Sequence, residues 1–152
     1  LTSGTTAASW DSEVVGFTTV TGTGNVVLAT SPTITTPTIT NYIETYFTVT
    51  GFTSTVTLNL ANGTVQSLTL VSATALTITL PSASTPSQSF ILMIRQPASG
   101  TATTATFAAS PPVKWSGGTA PTITATLGRM DIITFVSDGT NWYASFVQNF
   151  TP

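Results

Sequence analysis

The charged side chains of this sequence are few enough to consider one by one. Asp11, Glu13, Glu44, Asp131 and Asp138 are its five acids, and Arg95, Lys114 and Arg129 its three cations. Asp11 and Glu13 stand two apart, so on a strand they face the same side. Paired carboxylates can act as general acid and base in glycoside hydrolysis. No pocket-forming sequence surrounds them, and a solvated pair is the expectation. Arg129 and Asp131 have the same spacing and could pair on one strand face or across a subunit boundary. An exposed pair of this kind contributes about 0–1 kcal/mol. Asp138 opens the run Asp138-Gly139-Thr140-Asn141, where an acid bonds its own backbone and glycine supplies positive φ. Asp138 and Asn141 alone are too few oxygens for calcium within one chain. Lys114 and Trp115 precede Gly117-Gly118 between Pro111-Pro112 and Pro121. A stiff loop carrying an aromatic and a cation can stack on a sugar ring. The competing role for Trp115 is to cover the open end of a β-sandwich. Further on, Trp142 shares a strand face with Ala144 and Phe146, while Tyr143 points the other way with Val147. Trp142 is therefore assigned to the core and Tyr143 to the surface. Lys114, Trp115 and Tyr143 are the candidate binding residues.

Composition excludes most other chemistry. The chain has no Cys and no His. That removes disulfides, thiolate nucleophiles, Cys- or His-ligated metal sites and the Ser-His-Asp triad. No catalytic site, metal or cofactor is expected. Three cations cannot neutralise a run of phosphates, so nucleic acid is not an expected partner. Charged residues are 5% of the chain and hydrophobic residues 41%, the opposite of a disordered composition. A chain of this length, folded as one domain, buries roughly 68–70% of its unfolded surface. The longest clean apolar run is Phe90–Ile94, far short of the roughly 20 residues of a spanning helix, so no membrane insertion is expected. No basic residue precedes Arg95, so no signal peptide is read. The chain starts at Leu1 and is taken as processed, or as a piece of a longer protein.

The elements that must position these residues are strands. Thr makes up roughly a quarter of the sequence, and Thr, Val and Ile favour strands over helices. No segment has a 3.6-residue apolar period with usable caps. Residues 55–60 alternate strictly, with Val56, Leu58 and Leu60 on one face. Asn62-Gly63 then reads as a hairpin turn, which also accounts for the first of two glycosylation sequons, at Asn62 and Asn149. Leu68 and Leu70 share a face, as do Leu76, Ile78 and Leu80, and residues 81–88 read as a polar loop. Phe90–Ile94 is continuous apolar and is expected to be buried on both sides. Further strands are read at 101–108, 130–136 and 142–147. Strands at this spacing, with turn signals between them, predict an antiparallel β-sandwich or small barrel over residues 46–152. Residues 1–45 read differently. Ser31-Pro32-Thr33-Ile34-Thr35 is repeated as Thr36-Pro37-Thr38-Ile39-Thr40, with proline in phase. Proline removes a ladder donor and keeps its predecessor extended. An extended Thr/Pro-rich arm that contacts other chains is expected there. The word Pro-Thr-Ile-Thr recurs at 121–124.

Gly22-Thr23-Gly24-Asn25-Val26-Val27-Leu28-Ala29-Thr30-Ser31-Pro32-Thr33-Ile34 resembles a stretch that recurs in tail-fibre proteins of tailed bacteriophages, where it links β-rich modules. The second half resembles a β-domain at the ends of such fibres. The matching words are 62–68, Leu80-Pro81-Ser82-Ala83, 113–121, 131–135 and Asp138-Gly139-Thr140-Asn141-Trp142-Tyr143. Together they cover most of the chain.

This resemblance implies a virion structural protein of tail-fibre, head-fibre or capsid-decoration type, a homotrimer exposed on the particle. Other virion proteins and a host surface glycan are the partners it implies. With so few charges, the assembly is expected to be nearly indifferent to salt. The competing expectation is a bacterial cell-surface adhesin or carbohydrate-binding β-module, which needs no extended arm.

Overall fold

The computed structural model describes residues 38–152, of which Asn41–Pro152 form one compact unit. The arm residues 1–37, with Asp11, Glu13 and most of the proline repeat, lie outside the described residues.

The described chain is all-β, with no α-helix among its residues. Its first six strands are β1 (Tyr46–Thr48), β2 (Thr55–Thr57), β3 (Val65–Thr69), β4 (Leu76–Thr79), β5 (Pro86–Arg95) and β6 (Ala105–Ala108). They alternate between two sheets. β1, β3 and β5 are neighbours in one, and β2, β4 and β6 form the other. Within each sheet all these pairings are parallel. The chain therefore winds through three flattened coils of a β-solenoid. After β6 come the short β7 (Lys114–Trp115) and the antiparallel hairpin β8 (Met130–Asp138) and β9 (Trp142–Phe150). They complete the larger sheet in the order β1-β3-β5-β8-β9-β7.

This corrects the expected antiparallel sandwich or small barrel. Strand alternation is the same in both arrangements, since a face repeats every two residues whichever way its neighbours run. The connections make the difference, and Asn62-Gly63 is the clearest case. It closes no hairpin. Leu60–Asn62 is a 3₁₀ turn capped by the Asn59 side chain, which accepts from Ala61 N at 3.0 Å. The turn carries the chain from β2 in one sheet to β3 in the other. Gly63 has φ +149°, and a Cβ there would collide with the Thr45 carbonyl of the preceding coil. Glycine is needed here because two coils touch backbone to backbone.

The core lies between the two sheets. Leu68, Leu76, Ile78, Leu92, Ile94, Ile133 and Phe135 are buried from both sides of it. Phe90 stacks on Phe135 at 4.5 Å, and Trp142 meets the edge of Phe90 at 5.1 Å. The Trp142 indole N–H is satisfied by Pro81 O at 2.8 Å. Phe90–Ile94 is corrected too. Phe90, Leu92 and Ile94 are buried, whereas Ile91 and Met93 face outward and are only half-buried. The second layer covers one face of β5 and leaves the other open.

Buried polar side chains stitch the coil corners. Gln66 Nε2 donates to Asn59 O (2.7 Å) and Gly63 O (2.9 Å). Gln96 donates to Thr103 O and Thr124 O and accepts from Thr103 N. These amides replace ladder bonds that the corners cannot form.

Candidate binding surface

Among the described residues the acids do not converge. No group of three acids, histidines or cysteines could hold a metal ion.

Asp131 is almost fully buried and committed to structure. The ladder between β8 and β9 shifts register between Met130 and Ile132. Opposite the shift, Asn149 has φ +68°. Asp131 closes this irregularity by accepting from Asn149 N (2.9 Å), Thr124 N (2.7 Å), Thr124 Oγ1 (2.7 Å) and Gln148 Nε2 (3.1 Å). Burial pushes its carboxyl up. The backbone N–H groups of Thr124 and Asn149, then Thr124 Oγ1 and Gln148, outweigh that and hold it below the usual carboxylate range. The expected Arg129–Asp131 pair does not form, because both Asp131 oxygens are taken by donors of Thr124, Gln148 and Asn149. Arg129 donates to Thr151 Oγ1 instead. Thr124 belongs to the third Pro-Thr-Ile-Thr word, whose Pro121 and Ile123 are buried.

Asp138 takes the turn role read for it. Its Oδ1 accepts from Thr140 N (2.8 Å) and Asn141 N (2.7 Å), with Gly139 at φ +93°. These bonds lower its pKa, chiefly that from Asn141. The nearby Asp138 carboxylate raises the Tyr143 phenol pKa, first by favouring the protonated hydroxyl as a donor and then by opposing a second negative charge.

β7 and β9 bring the three candidate binding residues to one edge of the large sheet, on opposite faces. Lys114 is level with Tyr143 and Trp115 with Ala144. Lys114 and Tyr143 are exposed on the outer face. The Trp115 ring turns inward to Phe107 (5.0 Å), Phe135 (5.9 Å) and Phe146 (6.4 Å). Since Phe107 belongs to the small sheet and Phe135 to the large one, Trp115 closes the gap between layers. A shallow depression of about 450 Å³ lies on the outer side, bordered by Lys114, Ser116, Thr134, Val136, Tyr143 and Ser145, with Trp115 and Ala144 also reaching its lining. It offers a phenol ring, an ammonium and several hydroxyls, a set that can stack on and hydrogen-bond a sugar. It contains no acid–base pair.

The sequence reading singled out neither Glu44 nor the outward row of β5. Glu44 is exposed and accepts from Tyr42 OH (3.3 Å) and Thr64 Oγ1 (2.9 Å). On the outer face, Tyr46, Met93, Arg95 and Met130 line a second groove of about 340 Å³. The signal for Met93 was its position, odd in the run 90–94, which alternation separates from Phe90, Leu92 and Ile94.

Comparison with protein-family models, with curated proteins and with solved structures finds no match for this chain.

Proposed function

We propose that the chain is a structural protein of a tailed-bacteriophage virion, of fibre or decoration type, assembled as a homotrimer and exposed on the particle. The observation that carries this reading is the outward face of the large sheet. It carries an apolar row, Met93, Ile132 and Val147, across β5, β8 and β9, flanked by Thr134, Ser145 and Arg95, with Val147 61% and Val136 47% exposed. Contiguous apolar surface of this kind marks a contact with another chain. The charge-poor β-solenoid supports the same reading, because it can associate through apolar burial and backbone pairing with little electrostatic help. The resemblance of its sequence words, in their order, to those of phage fibre proteins supports the virion assignment.

Host attachment is the role this reading gives to the depression beside Lys114 and Tyr143, with a surface glycan as ligand. Trp115 is then a packing residue that holds β7 in place. No enzymatic step is assigned, since the described acids are separate and two of them are engaged in backbone hydrogen bonds.

Two measurements test the reading. Sedimentation at micromolar concentration should give a trimer whose mass is unchanged between low and high salt. Antibody labelling of purified particles should decorate the virion, at the head or at the tail. A monomer, or label confined to a bacterial envelope, would turn the assignment to the cell-surface adhesin.

A further inference from the structure

We propose that the outer face of the six-stranded sheet is a head-to-tail interface between copies of this chain, with Glu44 of one copy meeting Lys114 of the next. The copy number rests on the trimer reading above; the face and the polarity are read from the fold.

The face has the chemistry of an interface and approaches the size of one. Ser67, Met93, Ile132 and Val147 form one continuous row across four strands. Tyr46 extends the surface at one side and Val136 and Tyr143 at the other, all of them substantially exposed. Strands about 4.8 Å apart, with residues rising about 3.3 Å, give this face roughly 500–700 Å². A standard interface covers about 800 Å² per partner. The row itself carries no charge, and Arg95 beside it on the same face is too little positive charge to hold nucleic acid.

The polarity comes from the sheet register. Lys114 is level with Tyr143, Tyr143 with Val136, and Val136 with Ser89. From the other edge, Tyr46 is level with Val65, and Val65 with Ile91. Two residues before these on each strand stand Glu44, Gly63 and Ser89, just ahead of the paired ladder. Backbone bonds Val65 N to Thr45 O (3.3 Å) and Ile91 N to Thr64 O (2.8 Å) open the ladder, and Thr64 Oγ1 holds the Glu44 carboxylate immediately before it (2.9 Å). Glu44 and Lys114 thus stand near the same level, an acid at the β1 edge and a cation at the β7 edge. β1 and β7 also run in the same direction, since β1, β3 and β5 are parallel, two antiparallel steps lead to β9, and β7 is parallel to β9.

A two-fold perpendicular to the strands would set like edges, and like charges, against each other. A ring about an axis along the strands sets unlike edges together at one height and closes without a rise. The apolar row supplies the affinity, and the ion pair fixes the level. The seam passes beside the Lys114–Tyr143 depression, so a glycan held there would touch two copies.

The chain has no Cys, so introduced cysteines report contacts cleanly. The double variant E44C/K114C, treated with a short bis-maleimide, should give covalent oligomers up to the closed ring. E44C and K114C alone should give none. Linking by either single variant would show like edges meeting and overturn the proposal. A wild-type oligomer with no link in the double variant would overturn the interface and leave the trimer reading standing; a wild-type monomer would remove both. V147K should be a folded monomer, because Val147 is exposed within one chain, and an unchanged oligomer would refute the face. E44K should weaken association about five-fold, the size of an exposed pair, and E44K/K114E should restore it. Failure of that rescue would refute the pairing.

Discussion

The coils β1–β6 and the hairpin β8–β9 share a core yet are built in different ways. Coil strands are short except for β5, three residues in β1 and β2 against ten in β5, and each finds its partner only after the chain has crossed to the other sheet and returned. The hairpin strands are nine residues each and pair through a four-residue turn. Coil stability therefore depends on neighbours distant in sequence, and on corners where backbones touch. Hairpin stability depends on local closure and on large aromatics. Phe135 and Trp142 belong to the hairpin and Phe90 to the last coil of the large sheet, so the aromatic cluster is where the two regions are joined.

Breaking that junction should have the largest effect. Phe135→Ala or Trp142→Ala should cost about 3–5 kcal/mol, read from denaturant midpoints at constant slope. A smaller loss with a changed slope would mean that the hairpin unfolds separately from the coils. Gly63→Ala tests the corners. Positive φ and the collision with Thr45 should together cost about 2–3 kcal/mol; a cost near zero would show that adjacent coils can move apart there.

Asp131 sharpens the comparison within the hairpin. Asp131→Ala leaves Asn149 N and Thr124 N without their acceptor and should cost about 1–3 kcal/mol. Its acid behaviour follows from the direction of its shift. With the folded pKa below the ordinary aspartate value of 3.8, the unfolded chain binds more protons between the two values. The contribution is fully present above about pH 4 and is lost as pH falls through the folded pKa. Thermal melts of wild type and Asp131→Asn should converge below that range. The smallest effect on stability belongs to Tyr143→Ala, within about 0.5 kcal/mol for an exposed side chain, while retention on a glycan array should fall. Loss of fold without loss of binding would reverse the roles given to Tyr143 and the core.

Much of the local structure was legible in the residues. The alternation of 130–136 and 142–147 places Phe135 and Trp142 inward and Tyr143 outward, and Asp138-Gly139 closes its turn through side-chain acceptance that needs nothing beyond four residues. The candidate surface was legible only as a set of residue types. That Lys114 and Tyr143 share a face while Trp115 points into the core depends on β7 lying against β9, a pairing with no local signal.

What the sequence by itself determined is the strand content, the scarcity of charge, the absence of thiol and imidazole chemistry, and which side chains of each strand belong together. Those follow from composition and from a period of two, both properties of a few consecutive residues. Only the tertiary structure decided which way the strands run and which faces are covered. Asn62-Gly63 could have closed a hairpin; it became a corner because β2 and β3 each pair with a strand of the next coil. The run Phe90–Ile94 could have been buried on both sides; it is half-open because one layer packs against it. Pairing and cover are long-range choices, set by the total burial and hydrogen bonding of the whole chain.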